Sequence, residues 1–374
     1  MDKPPGISDS HPCHDEDVTR MGPPVWSGAR KGDGPLRVAV VGTGAFGANH
    51  LRVYRELARE GVTLAAAIEP DGMRAAEVEG RYGIPVFGTV EAALNADLKL
   101  DAASVAVPTI FHHDVASQLL AAGVDCLVEK PIAASLAEAD DLIALAEKHG
   151  RVLQVGHLER FNPGVLAIEP KLTKPMFFEA HRLSVFTPRS LDVDVVLDLM
   201  IHDLDIVLTF AGSAVKEVRA VGLPVLSRKV DIANVRVELE SGCVANFTAS
   251  RVSTERVRKL RFFEPRQYVS IDYARRDVLV ISVDEEFVLE DAMAAGESSG
   301  FQEGLPGLSF SKPEIVQGEP LRLEILSFVE AVRSRRKPRV TARQGRDALA
   351  LALEIQRTMV EHAGKAGLGS FFAS

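Results

Sequence analysis

The chain has 374 residues, of which 46% are hydrophobic and 25% are charged, and its formal net charge is -9. This composition predicts a globular protein of about two domains. An acidic chain offers no electrostatic footprint for nucleic acid or an anionic membrane surface. No apolar run reaches the roughly 18 residues of a membrane span, and the first residues lack the apolar core of a signal peptide. We therefore expect a cytoplasmic protein.

Residues 1–35 are rich in Pro, Gly, Ser and Asp and show no hydrophobic period, which predicts a flexible N-terminal extension. His11, Cys13 and His14 stand there beside acidic residues, a set that could hold a metal. No second ligand pair follows at the spacing of a zinc site, and the cysteines are too scattered for a disulfide framework. We predict neither a metal site nor a disulfide.

From residue 36 to residue 155, strand-like and helix-like runs alternate along the chain. Buried strands are predicted at residues 38–41, 64–68, 102–107, 126–128 and 152–155. Helices are predicted at residues 45–60, 71–82, 112–122 and 136–149. This alternation is typical of a doubly wound parallel sheet, so we predict an α/β, dinucleotide-binding Rossmann domain over residues 36–155.

The turn after the first predicted strand reads Gly42-Thr43-Gly44-Ala45-Phe46-Gly47. In a dinucleotide-binding turn, the first glycine permits a tight bend and the second lets the backbone approach the pyrophosphate. The third glycine lets the following helix pack close to the strand, and the N-terminus of that helix favours the negative charge of phosphate. An incidental glycine-rich turn is the alternative interpretation.

Glu69 ends the second predicted strand, a little beyond the spacing of about 20 residues at which a ribose-binding acid follows the glycine turn. A carboxylate there accepts hydrogen bonds from the ribose hydroxyls and repels a 2′-phosphate. The pattern therefore predicts NAD rather than NADP as the cofactor. A carboxylate on a solvent-exposed strand end is the alternative.

Two later strand ends carry candidate cofactor residues, because ligands bind outside the carboxyl ends of parallel strands. At the first, Pro108 stops the strand, and Thr109 and His112 could line a nicotinamide pocket. The alternative interpretation of the histidine is an ordinary residue at the N-terminus of a helix. The second reads Glu129-Lys130-Pro131, where charged groups are costly unless they are used. A lysine there could hydrogen-bond a substrate hydroxyl and stabilise negative charge during hydride loss.

A strongly apolar helix is predicted over residues 194–208, with a narrow polar stripe at helical spacing. The stripe consists of Asp194, Asp198, His202 and Asp205, and it contains no long charged side chain. From this helix alone, a solvated stripe and an active site are equally good interpretations. Placed beside Lys130, the stripe favours His202 as a general base, oriented by the carboxylate of Asp198 one turn earlier.

Beyond Gly156 the pattern changes to the alternation of half-buried strands in several runs between residues 176 and 283. Two of these runs flank Ser241-Gly242, which is typical of a two-residue hairpin turn. We predict a second, α+β domain over residues 156–374 with a large open antiparallel sheet. Within it we expect a long loop at 284–318 and closing helices at 321–335 and 343–362.

An open sheet with one uncovered face usually finds a partner. The most common arrangement for such a partner is a second copy of the same chain. We therefore expect a homo-oligomer.

The glycine turn, the Glu129-Lys130-Pro131 segment and the helix carrying Asp198 and His202 together resemble the Gfo/Idh/MocA oxidoreductase family. The resemblance extends from Leu36 to about Met359. It implies a Rossmann domain, a second domain on a large antiparallel sheet that often mediates oligomerisation, and a tightly held nicotinamide cofactor. It also implies catalytic roles for Lys130, Asp198 and His202. The family commonly has Asp where this chain has Glu69.

Five further segments lie at residues 152–163, 181–183, 188–189, 192–205 and 230–251. They resemble one group within that family, the bacterial UDP-N-acetylglucosamine 3-dehydrogenases. The resemblance implies NAD-dependent oxidation of the sugar 3-hydroxyl to a ketone, which a partner aminotransferase then converts during synthesis of lipid A variants with a 2,3-diamino sugar. Residues of these segments that could bind the substrate are His157, Arg160, Arg182 and Arg189. A nucleotide diphosphate needs such cations, although a surface arginine without a ligand is the alternative for any one of them.

Two other functions stay open from the sequence. One is oxidation of a different sugar or cyclitol by an enzyme of the same family. The other is an NAD-binding regulator without turnover, against which the presence of Lys130, Asp198 and His202 together argues, because a sensor needs neither a base nor an alkoxide stabiliser.

Overall fold

A computed structural model describes residues 34–187, 193–285 and 307–369. Residues 1–33 of the predicted N-terminal extension, with its candidate metal ligands, therefore lie outside the described residues. Within the described ranges, no helix combines the length and apolar character needed to cross a bilayer.

Six parallel strands form the first sheet, in the order β3-β2-β1-β4-β5-β6. The strands are β1 (Leu36–Val41), β2 (Val62–Ile68), β3 (Val86–Phe87), β4 (Ala102–Val105), β5 (Asp125–Glu129) and β6 (Leu153–Gly156). This order is that of a doubly wound dinucleotide-binding sheet, so the predicted α/β fold is confirmed. The short β3 was not predicted, because two half-buried residues give no period to detect.

Helices cover both faces of this sheet, because alternate residues of its strands are apolar on both sides. They are α1 (Gly47–Glu56), α2 (Gly72–Tyr82), α3 (Val90–Asn95), α4 (His112–Ala121) and α5 (Leu136–Lys148). Val38 and Val40 face the core that contains Leu51 of α1. Ala39 and Val41 face the opposite core, with α4 and α5. The helix predicted at 45–60 ends at Glu56 and continues as a 3₁₀ turn.

Eight strands form the second sheet, in the order β14-β13-β12-β11-β7-β10-β9-β8. They are β7 (Phe177–Leu183), β8 (Val215–Leu223), β9 (Ile232–Leu239), β10 (Val244–Ser250), β11 (Val257–Glu264), β12 (Gln267–Asp272), β13 (Asp277–Val283) and β14 (Leu308–Ser311). Neighbours pair antiparallel except β7 and β10. The predicted antiparallel sheet and the β9–β10 hairpin are confirmed, although residues 240–243 connect the strands instead of two residues.

One part of the predicted long loop at 284–318 is wrong. Residues Leu308–Ser311 form β14, which pairs with β13 at the edge of the sheet. The strand is short and half-exposed, so its sequence shows no strong apolar pattern. It forms because its backbone pairs with β13.

Two helices and a π-helical turn cover the inner face of the second sheet. The short α6 (Pro163–Ile168) precedes β7, the π turn is Val196–Met200, and α7 is Ile201–Ala211. Ile206 of α7 lies in the same core as Phe247 of β10. The predicted continuous helix at 194–208 is therefore divided, with a π turn before α7.

The closing helices are α8 (Pro320–Ser334) and α9 (Ala342–Lys365). Ile325 and Phe328 of α8 pack in the core beside Leu51, so α8 returns to the parallel sheet. Met359 of α9 packs in the core of the second sheet, while Gly345 lies against Val155 of β6. The predicted domain boundary near residue 155 stays a prediction, and the C-terminal helices join the two halves.

Candidate active site

A cleft of about 350 Å³ lies where the carboxyl ends of β4, β5 and β6 face α7 and the inner side of β7 and β11. The predicted site residues that line it are Phe46, Pro108, Thr109, His112, Glu129, Lys130, Arg182 and His202. The cleft therefore brings residues of both halves of the chain together at the strand ends where ligands of such sheets bind.

The glycine turn has the geometry that a dinucleotide pyrophosphate requires. Gly42 has φ +82°, and a Cβ there would lie 2.8 Å from the carbonyl oxygen of Ala106. A Cβ on Gly47 would lie 1.9 Å from the carbonyl oxygen of Gly42, whereas one on Gly44 would meet no atom within 4 Å. No side chain caps the N-terminus of α1, which leaves the positive end of the helix dipole open to an anion. The turn, with Ala45 at its centre, fits NAD.

Glu69 is buried at the end of β2 and is fixed against the glycine turn. Its Oε2 accepts hydrogen bonds from the Thr43 N–H at 2.9 Å and the Thr43 hydroxyl at 2.8 Å. Its Oε1 accepts from the N–H of Asp71 and from the Arg74 guanidinium, both at 3.0 Å. Burial raises the pKa of Glu69, but these hydrogen bonds outweigh it and hold the pKa below its usual value. The carboxylate is therefore charged at the edge where a ribose would bind.

Lys130 reaches across the cleft from the end of β5 to the π turn. Its Nζ donates to the carbonyl oxygen of Asp198 at 2.9 Å and lies 3.4 Å from that of Leu197. Burial lowers the pKa of Lys130, and the negative charges of Asp198 and Glu129 oppose this shift. The peptide bond between Lys130 and Pro131 is cis.

Glu129 is the last residue of β5 and directly precedes Lys130. Its Oε1 lies 2.9 Å from Nε2 of the fully buried His50 on α1. A Cβ on Gly156 would lie 2.9 Å from the Glu129 carboxylate, so a larger residue there would displace this side chain. Glu129 and Gly156 both line the cleft. Because Glu129 contacts His50 and precedes Lys130, it connects α1 to the lysine.

His202 lies at the start of α7 and lines the cleft opposite the strand ends. Its Nδ1 is buried, with no hydrogen-bond partner in the described part of the chain. Burial and the positive charges of Lys130 and Arg182 hold the pKa of His202 well below its usual value. The ring is therefore neutral near pH 7, the protonation state that a general base needs.

His202 was predicted to be oriented by the Asp198 carboxylate, but no hydrogen bond joins these two described side chains. Asp198 lies in the π turn, where its carbonyl oxygen accepts from Lys130 and its charge acts on that lysine. Asp194 does not line the cleft. Its Oδ1 instead accepts hydrogen bonds from the N–H groups of Val196 and Leu197 at the start of the π turn. The structure therefore associates Asp198 with Lys130 instead of with the imidazole.

His112 ties two strand ends together at the back of the cleft. Its Nδ1 lies 2.8 Å from the carbonyl oxygen of Pro131, and its Nε2 lies 2.9 Å from that of Val107. Burial lowers the pKa of His112. Thr109 begins a 3₁₀ turn just before α4, and together with the exposed Pro108 it forms the neighbouring wall.

Arg182 lines the cleft, but its guanidinium already donates hydrogen bonds to two carboxylates. Its Nε and Nη2 donate to both oxygens of the buried Asp203, at 2.8 and 2.9 Å, and its Nη1 donates to Glu159 at 3.0 Å. The ring of Tyr273 packs 5.4 Å from the guanidinium carbon. Asp203 was not predicted, because it lies beside the polar stripe and not within it.

Two other predicted substrate residues do not line the cleft. Arg160 is buried and donates to the Thr209 hydroxyl at 2.5 Å, with the Asp205 carboxylate 3.7 Å away. His157 is fully buried behind the end of β6, and burial lowers its pKa. The remaining predicted residue, Arg189, lies outside the described residues.

Sequence analysis missed Arg258, which lines the cleft from the start of β11. The available signal is its spacing, because Arg258, Leu260 and Phe262 are two residues apart and so share one face of β11, on which Leu260 and Phe262 are fully buried. An arginine on the buried face of a strand is costly unless it meets solvent or a ligand.

Comparison with known proteins gives two matching family models. The model described as "Oxidoreductase family, NAD-binding Rossmann fold" matches residues 36–157. The model of the GFO/IDH/MocA C-terminal domain matches residues 174–266.

Among curated proteins, the UDP-N-acetylglucosamine 3-dehydrogenase of Acidithiobacillus ferrooxidans is 34% identical over 322 residues, which are 86% of this chain and 96% of that protein. A solved structure of that enzyme superposes with a TM-score of 0.78 at 32% identity and covers 90% of this chain and 99% of the other. The inositol 2-dehydrogenase of Leifsonia xyli subsp. xyli is 32% identical over 191 residues, or 49% of this chain and 56% of that protein.

Proposed function

The chain belongs to the Gfo/Idh/MocA family of oxidoreductases and is an NAD-dependent dehydrogenase, and from that premise we propose that it oxidises the 3-hydroxyl of UDP-N-acetylglucosamine to a ketone. The relative that is 34% identical over 86% of the chain carries this activity in its name and supports the proposal. The observation on which the proposal depends is that Lys130 of the parallel sheet and His202 of α7 line one cleft beside the glycine turn.

The glycine turn and Glu69 would hold NAD, which supplies the acceptor for the hydride when it is bound. In the proposed step, His202 takes the proton of the sugar 3-hydroxyl while the hydrogen on C3 leaves as hydride. The Lys130 ammonium hydrogen-bonds the same oxygen and stabilises the negative charge that develops on it. The products are the 3-ketone, reduced cofactor and a protonated His202, which returns its proton to solvent.

Two residues would position Lys130 without contacting the substrate. The Asp198 carbonyl and carboxylate favour the charged form of Lys130 and fix its direction. Glu129, bonded to His50, fixes the strand end from which the lysine extends. We assign Asp198 and Glu129 as positioning residues on this ground.

We further place the reaction in the cytoplasm, in the synthesis of the 2,3-diamino sugar of lipid A variants, with an aminotransferase that consumes the ketone. An inositol 2-dehydrogenase is 32% identical to this chain, which makes a cyclitol substrate the second candidate. It ranks second because the match covers only 49% of this chain. The two candidates differ in the nucleotide, because a cyclitol dehydrogenase has no use for UDP.

The test is an incubation of the protein with NAD and a panel of UDP-sugars, free sugars and cyclitols, with the absorbance of reduced cofactor as the readout. Because the ketone equilibrium is unfavourable, each reaction is repeated with glutamate and an aminotransferase as a trap. We expect reduction of NAD with UDP-N-acetylglucosamine and competition by UDP alone. Turnover of a cyclitol without competition by UDP would instead establish the second candidate.

A further inference from the structure

Arg258 occupies a distinctive place in the cleft. It begins the inner face of β11 and lies directly opposite Arg182 of β7 in the antiparallel register. Further along the same face, Leu260 and Phe262 are fully buried in the core of the sheet. Arg258 itself is exposed, whereas Lys130 and His202 are half-buried. Its guanidinium therefore stands at the mouth of the cleft, outside the two groups of the proposed chemistry.

The other cations of this region are engaged. Arg182 forms a two-point ion pair with Asp203 and a further hydrogen bond to Glu159. Lys130 donates to the carbonyl oxygen of Asp198. Arg258 has no ion pair or side-chain hydrogen bond with any residue of the described ranges. It is therefore a positive charge whose donors are available to a ligand.

We propose that Arg258 binds the diphosphate of the nucleotide sugar and thereby sets the depth at which the sugar enters, an inference that rests on the proposed function. A guanidinium presents parallel N–H groups that match two phosphate oxygens, and such charge-assisted pairs are strong. The diphosphate is attached to C1 of the sugar, so an anchor at the mouth directs the ring inward, toward Lys130 and His202.

The same charge acts on the proposed base. Burial lowers the pKa of His202, and so do the positive charges of Lys130, Arg182 and Arg258 that line the same cleft. A phosphate bound to Arg258 offsets one of these charges, which raises the basicity of the imidazole when substrate is present. Removal of the Arg258 charge from the free enzyme should likewise raise the pKa of His202.

The experiment compares the wild-type enzyme with Arg258→Gln and Arg258→Lys. The control is Arg219→Gln, which removes the same charge from the edge strand β8, where Arg219 pairs with Glu217. Loss of a charge-assisted hydrogen bond costs about 1.5–3 kcal/mol, so the KM for UDP-N-acetylglucosamine should rise about 10- to 100-fold in Arg258→Gln. The KM for NAD should be unchanged, and Arg258→Lys should recover part of the loss.

A second readout separates this role from a structural one. In Arg258→Gln, the acid limb of kcat/KM should move to higher pH, because the base of the free enzyme becomes protonated more readily. Calorimetric binding of UDP to the NAD-loaded protein should weaken by the same factor as KM. The melting temperature should stay at the wild-type value, since the side chain is exposed.

The two proposals fail in different ways. If the wild-type enzyme neither reduces NAD with UDP-N-acetylglucosamine nor binds UDP, the proposed function and this inference both fall. If the wild-type enzyme does both and Arg258→Gln keeps its affinity for UDP, the inference alone is wrong. A rise in the KM for NAD instead of the sugar would also overturn it, because Arg258 would then belong to the cofactor site.

Discussion

At the scale of single residues, the account depends on two nitrogen groups that reach one cleft from different halves of the chain. Burial lowers the pKa of Lys130, and the negative charges of Asp198 and Glu129 oppose this shift, while its Nζ donates to the carbonyl oxygen of Asp198. His202 is kept neutral by burial and by its cationic neighbours. Lys130 thus offers donors that can stabilise an alkoxide, and the neutral imidazole of His202 can accept a proton.

Replacement of the base is the most direct test at this scale. In His202→Ala we expect kcat to fall by about 10² to 10⁴, the usual contribution of a positioned general base. The dissociation constant for NAD should not change, because the glycine turn and Glu69 are untouched. The control is His362→Ala, which removes an exposed imidazole from α9. Equal turnover in the two variants would exclude His202 from the chemistry.

Cofactor preference is the second residue-level prediction. Glu69→Ala removes the charge that repels a 2′-phosphate and releases Arg74, whose guanidinium now lies 3.0 Å from the Glu69 carboxylate. The ratio of kcat/KM for NADP to that for NAD should therefore increase by about tenfold or more, the effect of one charge-assisted contact. The double variant Glu69→Ala with Arg74→Ala should lose most of this gain. An unchanged ratio in the single variant would show that another residue selects the cofactor.

At the scale of elements, the sequence predicted those parts of the site that depend on local geometry. The glycine turn and the strand ends at Pro108 and Glu129 are encoded by short segments, so their positions followed from pattern alone. Arg258 and the pair of Arg182 with Asp203 depend on the register between β7, β11 and α7. A single sequence does not specify such contacts, because they join residues that are far apart along the chain.

The π turn illustrates the same limit within one element. The apolar period of residues 194–208 predicted an uninterrupted helix, in which the carboxylate of Asp198 would orient His202 from one turn earlier. The structure places a π turn at Val196–Met200, where Asp194 accepts the first N–H groups and Lys130 meets the carbonyl of Asp198. These tertiary contacts place Asp198 against Lys130 and not against His202.

Two glycines of the dinucleotide turn should respond differently to the same substitution. In Gly47→Ala the new Cβ would lie 1.9 Å from the Gly42 carbonyl oxygen, so we expect a loss of about 1–3 kcal/mol of stability from overpacking. In Gly44→Ala the Cβ meets no protein atom within 4 Å. It should leave the melting temperature unchanged while weakening NAD binding about tenfold, because the backbone must approach the pyrophosphate. Thermal unfolding and NAD titration measure both effects, and equal melting temperatures for the two variants would contradict the packing role of Gly47.

At the scale of the whole molecule, the chain crosses between its two sheets more than once. The parallel sheet comes first, the antiparallel sheet follows, and α8 then returns to the first core before α9 packs on the second. The sequence predicted both sheets and both closing helices. It assigned α8 to the second domain, although this helix packs in the core of the parallel sheet, because an amphipathic helix carries no information about the identity of its partner.

The outer face of the second sheet carries an aromatic cluster that supports the proposal of a homo-oligomer. The rings of Phe177 and Phe263 lie 5.5 Å apart, and those of Phe263 and Tyr268 lie 5.1 Å apart. All three side chains are half-buried on the face away from α7. Contiguous aromatic surface of this kind is typical of interfaces.

Sedimentation velocity tests this proposal. The wild-type protein should sediment as an oligomer, and Phe263→Glu should shift it toward the monomer, because a buried unpaired charge is costly in an interface. The control is Val360→Glu, at a position that is 59% exposed on α9 and outside the sheet face. A monomeric wild-type protein would refute the interface.

The central claim is that this cleft transfers hydride from C3 of a UDP-sugar to NAD. The most direct measurement uses UDP-N-acetylglucosamine deuterated at C3, with NAD, glutamate and an aminotransferase, and mass analysis of the reduced cofactor. The account predicts one deuterium in each molecule of reduced cofactor formed. Reduced cofactor without the label, or a sugar that keeps its deuterium while NAD is consumed, would contradict it.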